Sequence, residues 1–202
     1  MSECEMFALK GCGGHARSVA DAIISDSPGS RVVFVDGGAR EGERIMGFDA
    51  VSELPGGADV PFIPAIGDNA RRMSECEGLR LRSYVSRTAH VGAGSRIEEG
   101  CFVGCGAHIG PEATIGRGSI VNTNAVVEHN VVVGRFCHVA PNATVCGMCR
   151  IGDLVLVGAG AVVRPCVSIC PNVVVGAGAV VVADIAEPGT YAGCPARKAA
   201  DR

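Results

Sequence analysis

The sequence predicts a small α/β unit of Rossmann-like βαβ type over residues 1–80, followed by a parallel β-helix over residues 81–202. Three observations point there. Every sixth residue from 85 to 181 is Val or Ile, seventeen positions without exception. A second column of small or slim side chains, running from Ser83 through Cys101, Ser119 and Cys137 to Ala179, precedes the first by two residues. The first 80 residues lack this period and alternate strand-like and helix-like stretches around a glycine turn. A six-residue apolar period fits neither the helical repeat nor simple strand alternation, but it is what short strands wound into stacked coils require. Composition agrees: 48% hydrophobic residues with 29 Gly, 4% aromatics and no Trp describe a core of many thin layers.

In the N-terminal unit, residues 6–10 form the first expected strand, GCGG a turn, and residues 15–25 a helix. Strands over 31–36 and 61–66 come next, the latter leading into GDNARR, which gives a βαβ pattern. The turn is GxGGHA, an incomplete dinucleotide fingerprint. Asp36 closes the second strand where such folds contact a ribose or a base.

From residue 85 to about 185 the repeat resembles the hexapeptide proteins, whose winding is a left-handed prism with three hexads per coil; this length gives five to six coils. Strand side chains alternate in and out, so the residue between the two inward columns points outward. The first face then carries Tyr84, Phe102, Ile120, His138, Leu156 and Val174, and the second His90, His108, Val126, Thr144, Val162 and Val180. Arg96, Thr114, Val132, Arg150 and Ser168 make a solvated third face. The apolar column of the first face, with part of the second, is too extensive to leave in water and implies self-association. Hexapeptide acyltransferases are typically trimers, so a homotrimer is expected.

The string NTNAVVEHN places Glu128, His129 and Asn130 at the corner after the second face, while His138 points out of the first. On that reading the two histidines meet only across a subunit boundary. One coil beyond His129 stands Gly147, in a strand layer about 4.8 Å away. A glycine lets a substrate approach the backbone, and its amide could donate to an oxyanion forming beside a histidine base. Imidazole has the pKa to accept a proton at neutral pH, so the constellation suits acyl transfer. The plainer alternatives are a solvent-exposed corner histidine at 129, a polar residue tolerated in an interface at 138, and a helix-capping role for His15.

GCGGHARSVAD, FVD, AIGDN, VVEHNVVVGRFCHVAPNATVCG and YAGCPARK together resemble the NeuD/PglD/PerB family of sugar acetyltransferases. The resemblance implies transfer of acetyl from acetyl-CoA to a sugar, commonly the amino group of a nucleotide-linked amino sugar. It implies His129 as base, His138 as a second active-site histidine, and Gly147 as the acetyl-carbonyl contact. It further implies substrate contacts at Gly11, Gly13, Gly14, His15 and Asp36, with Gly67, Asp68 and Asn69 beside them. The GAGAVV repeats would line the CoA groove around Gly158, Ala159, Gly176 and Ala177. Relatives commonly carry Asp or Glu directly after the base, whereas this sequence has Asn130. Either Glu128 takes over the orienting role, or the base is less strongly polarised and the amine supplies more of the driving force.

With 18 Lys plus Arg against 21 Asp plus Glu, no basic surface argues for nucleic acid or membrane. Apolar runs are short and glycine-broken, and the acidic start MSECEMF is no signal peptide, so a cytoplasmic location is expected. The eleven Cys read as reduced thiols, with Cys101, Cys137 and Cys149 as slim core fillers. No metal is expected, although His90 and His108, one coil apart, raise a zinc-dependent protein like the γ-class carbonic anhydrases as an alternative. An O-acetyltransferase acting on sialic acid or a related sugar, and a non-catalytic hexapeptide assembly protein, are the other readings.

Overall fold

The structure, a computed structural model, describes residues 5–54 and 60–199; residues 1–4 and 200–202 at the outer ends of the two expected domains lie outside the described residues. Strand β1 (Met6–Lys10) leads through the glycine turn into helix α1 (Gly14–Asp26), then β2 (Arg31–Val35). A short hairpin that the sequence pattern does not announce comes next, β3 (Arg44–Ile45) and β4 (Phe48–Val51). Strand β5 (Phe62–Pro64) and helix α2 (Asn69–Glu75) complete the unit. Its sheet order is β3-β4-β2-β1-β5, parallel except for the β3–β4 pair. Helix α1 forms because Ala16, Val19, Ala20 and Ile23 fall on one face, which is fully buried on the sheet.

Beyond residue 83 the chain is a left-handed parallel β-helix of two-residue strands, each pairing with the strand eighteen residues on. The three sheets contain eight, six and five strands, and the first, second and third faces are composed as the alternation predicts. The inward columns form a single core from Cys101 to Ile185. Val85 and Val91, expected inside, are 38% and 42% exposed because no coil lies beneath the first one. At the other end, the strand Gly189–Ala192 pairs with Val173–Val175, and Ile185 bridges to Ile169, closing the stack. The inward thiols behave as small fillers: Sγ of Cys101, Cys137 and Cys149 donate to the carbonyls of Gly116, Gly152 and Arg164. Burial pushes Cys101 and Cys137 up to about 12, which keeps them protonated and inert.

The first face needs a correction. The first part of its apolar column, Tyr84, Phe102 and Ile120, is covered by the chain's own N-terminal unit, whereas Val174 further along remains 38% exposed. Phe102 and Ile120, 2% and 1% exposed, share one cluster with Phe7, Leu9 and the buried face of α1. The hydroxyl of Tyr84 donates to Asp26 Oδ2 at 2.8 Å, tying the first coil to the end of α1. Periodicity shows that a face is apolar, not what covers it.

Arg72, from α2, fixes the unit's position on the prism. It is wholly buried, and among the described residues no carboxylate forms an ion pair with it. Its Nε donates to Gly118 O at 2.8 Å, Nη1 to the carbonyls of Ile66 and Gly67, and Nη2 to Asn69 Oδ1 and to the carbonyls of Phe136 and Cys137. Burial pulls the guanidinium down to about 10, so it remains charged at neutral pH. Arg72→Ala leaves these acceptors unpaired in a closed interface and should cost about 2–5 kcal/mol of stability. Arg72→Lys should recover little of it, because three donors on a point cannot reach carbonyls on both sides. Urea unfolding of the three proteins checks both outcomes.

Candidate active site

Two groups of residues are brought together, on opposite sides of the prism. The first lies at the carboxyl edge of the N-terminal sheet. The connection from β1 runs to β2 on one side while β5 lies on the other, so the crevice between β1 and β5 is a topological switch point, the usual ligand position in open α/β sheets. Gly11, Gly13, Gly14, Gly67 and Asp68 all line this edge. Gly11 has φ +121°, and a Cβ there would stand 2.8 Å from Ile66 Cγ1, so glycine is required by the close approach of the two loops. Gly13 caps α1 with no side-chain hydrogen bond, no acidic residue occupies the first turn, and the space over Gly13 and Gly14 is open. The free amides of that turn favour an anion.

The polar residues expected as substrate contacts on this edge are largely engaged within the protein. Asp68 Oδ1 accepts from Arg71 N as the cap of α2. Asn69 donates to Leu154 O and accepts from Arg72. Asp36 accepts from Gly38 N at 3.0 Å and faces Arg71 Nη2 at 3.5 Å. A cavity of about 260 Å³ opens beside them, lined by residues 67–70 and by Leu154, Leu156, Asn172 and Val174 of the prism.

His15 and His138 meet beneath this edge within one chain, their rings 5.8 Å apart, with Phe102 edge-on to His15 at 5.4 Å. The Asn122 side chain sets the His138 tautomer. Its Oδ1 accepts from Thr123 N, which leaves Nδ2 to donate to His138 Nε2 at 3.0 Å. His138 Nδ1 therefore carries the proton and donates to Gly67 O at 3.3 Å. His15 Nε2 is buried without a partner among the described residues. Burial, with the neighbouring His138 and Arg72 charges, pushes His15 down to about 3; burial and Arg72 push His138 down to about 4.

The second group is the corner after the second face. His129 is exposed; its Nδ1 lies 3.0 Å from Asn130 Oδ1, and Asn130 Nδ2 donates to Glu112 Oε2 at 2.5 Å. Glu128 Oε2 accepts from His129 N at 3.2 Å and so serves the backbone, not the ring. Directly above sits Gly147: a Cβ there would lie 2.5 Å from His129 Nε2, so any larger residue would displace the imidazole.

Ala159 and Ala177 lie exposed on a third edge, the corner after the first face, and one chain does not bring them to His129. Gly158 there is required by close stacking, since its Cβ would meet Ala177 N at 2.6 Å. His90 and His108 stack at 4.9 Å, and among the described residues no group of three or more His, Cys, Asp or Glu is arranged to hold a metal ion. No described helix is long and apolar enough to cross a membrane. Sequence reasoning missed Arg72, Asn122 and Glu112, of which only Glu112 carried a signal: it stands one coil before Asn130.

A docked glycine-turn α/β unit on a left-handed hexapeptide prism is the architecture of acetyl-CoA-dependent acyltransferases. Two family signatures match the chain, the PglD N-terminal domain over residues 7–79 and the bacterial transferase hexapeptide (six repeats) over residues 94–128 and 148–183. The acetyltransferase domain of PglB from Neisseria gonorrhoeae, solved with acetyl coenzyme A, is 30% identical with a TM-score of 0.87, over 96% of this chain and 99% of that one. PerB from Caulobacter crescentus, solved with CoA and GDP-perosamine, is 27% identical with a TM-score of 0.82, over 98% and 99%. WeeI from Acinetobacter baumannii is 25% identical with a TM-score of 0.84, over 96% and 100%. No protein of curated function matches the sequence. The chain belongs to the NeuD/PglD/PerB family of sugar acetyltransferases.

The half-buried histidines give a pH dependence. Unfolded imidazole titrates near 6.5, whereas the folded rings stay neutral down to about 4 and about 3. The unfolded chain therefore binds more protons below pH 6.5, and stability falls as pH drops from 6.5 toward 4, by at most about 1.4 kcal/mol per unit for each ring. Denaturant midpoints between pH 7 and 5 should show this slope, and His138→Asn should reduce it.

Proposed function

We propose that this protein is a cytoplasmic homotrimer that moves acetyl from acetyl-CoA to the amino group of a nucleotide-linked amino sugar. The observation that carries the reading is His129 Nε2 turned toward the bare backbone of Gly147, a base beside a position where only glycine fits. The sugar amine attacks the thioester carbonyl carbon and His129 Nε2 takes a proton from it. The Gly147 amide donates to the oxyanion. As the tetrahedral centre collapses, the C–S bond breaks and the CoA thiolate leaves, taking the proton from His129. No acyl-enzyme forms.

The N-terminal unit, residues 1–80, holds the nucleotide, with its diphosphate on the free amides of Gly13 and Gly14 and its sugar directed past His15. His138 and Asn122 act there by holding the Gly67 carbonyl and the floor of the pocket, since both His138 nitrogens are engaged. Residues 81–202 take acetyl-CoA along the Ala159 and Ala177 edge. Gly160 and Gly178 on that edge leave open space where a pantetheine arm fits. Because this edge and the His129 corner lie on different sides of one prism, the reading requires a second subunit to bring them together. The relatives solved with acetyl coenzyme A, CoA and GDP-perosamine support the substrate classes.

Thiol release from acetyl-CoA against a panel of nucleotide-linked amino sugars tests this, with free sialic acid as the hydroxyl acceptor. Turnover is expected on an amino sugar and should fall by about two to four orders of magnitude in His129→Ala. A near-normal rate in that variant removes His129 from the base role, and turnover on sialic acid alone replaces N- by O-acetylation. Gly147→Ala should lower kcat at least about tenfold by displacing the ring, with unfolding midpoints unchanged.

A further inference from the structure

The missing carboxylate after the base is supplied from the coil below. The corner residues after the second face stack one above another in left-handed backbone conformation, with φ of +73° at Gly94, +58° at Glu112, +57° at Asn130 and +62° at Met148. This stacking sets the Glu112 side chain directly against that of Asn130. Bare Gly94 beneath gives Glu112 no competing partner: even a Cβ there would only just touch Glu112 Cγ, at 3.5 Å.

A carboxylate has only acceptors, so Asn130 must turn its NH2 toward Glu112. The amide oxygen then faces His129 Nδ1 at 3.0 Å and can only accept. The proton of the neutral ring is thereby placed on Nδ1, and Nε2 keeps its lone pair, facing Gly147. The opposite tautomer would need Asn130 reversed, with its oxygen against the Glu112 carboxylate, two acceptors 2.5 Å apart. Glu112 and Glu128 are the carboxylates that face the ring's corner, and Glu128 is spent on the backbone amide. The layer above contributes uncharged Gly147 and Met148.

We propose that Asn130 and Glu112 form a positioning relay that holds His129 in the Nδ1–H tautomer with Nε2 free as the base; this deepens the function proposed above and rests on it. Glu112 does not touch substrate. It acts by fixing the amide, and when Nε2 is protonated its charge stabilises the imidazolium through the polarised amide.

The relay is tested in the full-length protein. Imidazole 15N–1H correlation spectra, with His129 assigned by difference against His129→Ala, should show Nδ1–H in the wild type and a tautomer mixture in Glu112→Ala. In the same variant kcat should fall about tenfold to a hundredfold, with KM for acetyl-CoA and acceptor within about twofold. Adding Asn130→Asp to Glu112→Ala puts a carboxylate on Nδ1 directly and should bring kcat back to within about threefold of wild type. An unchanged spectrum in Glu112→Ala, a kcat within about twofold of wild type, or a double variant no faster than the single overturns the relay. Those outcomes with His129→Ala still inactive leave the base assignment standing, whereas an active His129→Ala removes the base itself.

Discussion

The Arg72 guanidinium holds this protein together as one object. The prism is stable along its own axis because each coil rests on the next, and the N-terminal unit has its own sheet. Between them lies a face of Phe102, Ile120 and Tyr84 that gives area, with the Tyr84 to Asp26 hydrogen bond as a directional contact at its first coil. Arg72 adds further direction. A planar cation with five donors is met by carbonyls at the corner entering the first face, at residues 118, 136 and 137, and by those of the loop after β5. The Gly67 carbonyl accepts from both Arg72 and His138, so the positions of the turn, the half-buried histidines and the crevice above them are set together.

The two halves of the chain are not equally legible in the sequence. The hexads are plain because each inward position is tested seventeen times and each face can be read by counting. Counting eighteen residues up from His129 leads to Gly147, and eighteen down from Asn130 leads to Glu112. Arg72 is not legible, since it sits in the polar run GDNARR and its burial is decided by a surface far away in sequence. The β3–β4 hairpin is hidden because its strands are two and four residues long and carry charged side chains. The first part of the apolar first face reads as a subunit contact for a related reason: an outward pattern states a need for cover, and at Tyr84, Phe102 and Ile120 this chain meets it internally.

The reactive groups are consequently sorted by environment. His15 and His138 are half-buried and neutral, and His138 is fixed by the Gly67 carbonyl and the Asn122 amide, which suits shaping a pocket. His129 is exposed at a corner whose side chains are held by stacked backbone, which suits a group that gains and loses a proton. The left-handed corner conformation costs about 1–2 kcal/mol per non-glycine residue, and the coil ladder offsets it while pointing residues 112 and 130 along one line.

The stacked-coil geometry also restricts how such a chain can change length. Losing one residue within the prism turns every later inward side chain outward, and losing one hexad rotates all later faces by a third of a turn, carrying Gly147 off His129. Unless it is looped out at a corner, only a whole coil of eighteen residues can be added or removed without disturbing the coils beyond it, and only away from the contiguous coils that hold Glu112, His129 and Gly147. Length changes that stay within the coils of this half are therefore quantised, and the corner proposed as catalytic marks the stretch where even a full quantum is forbidden.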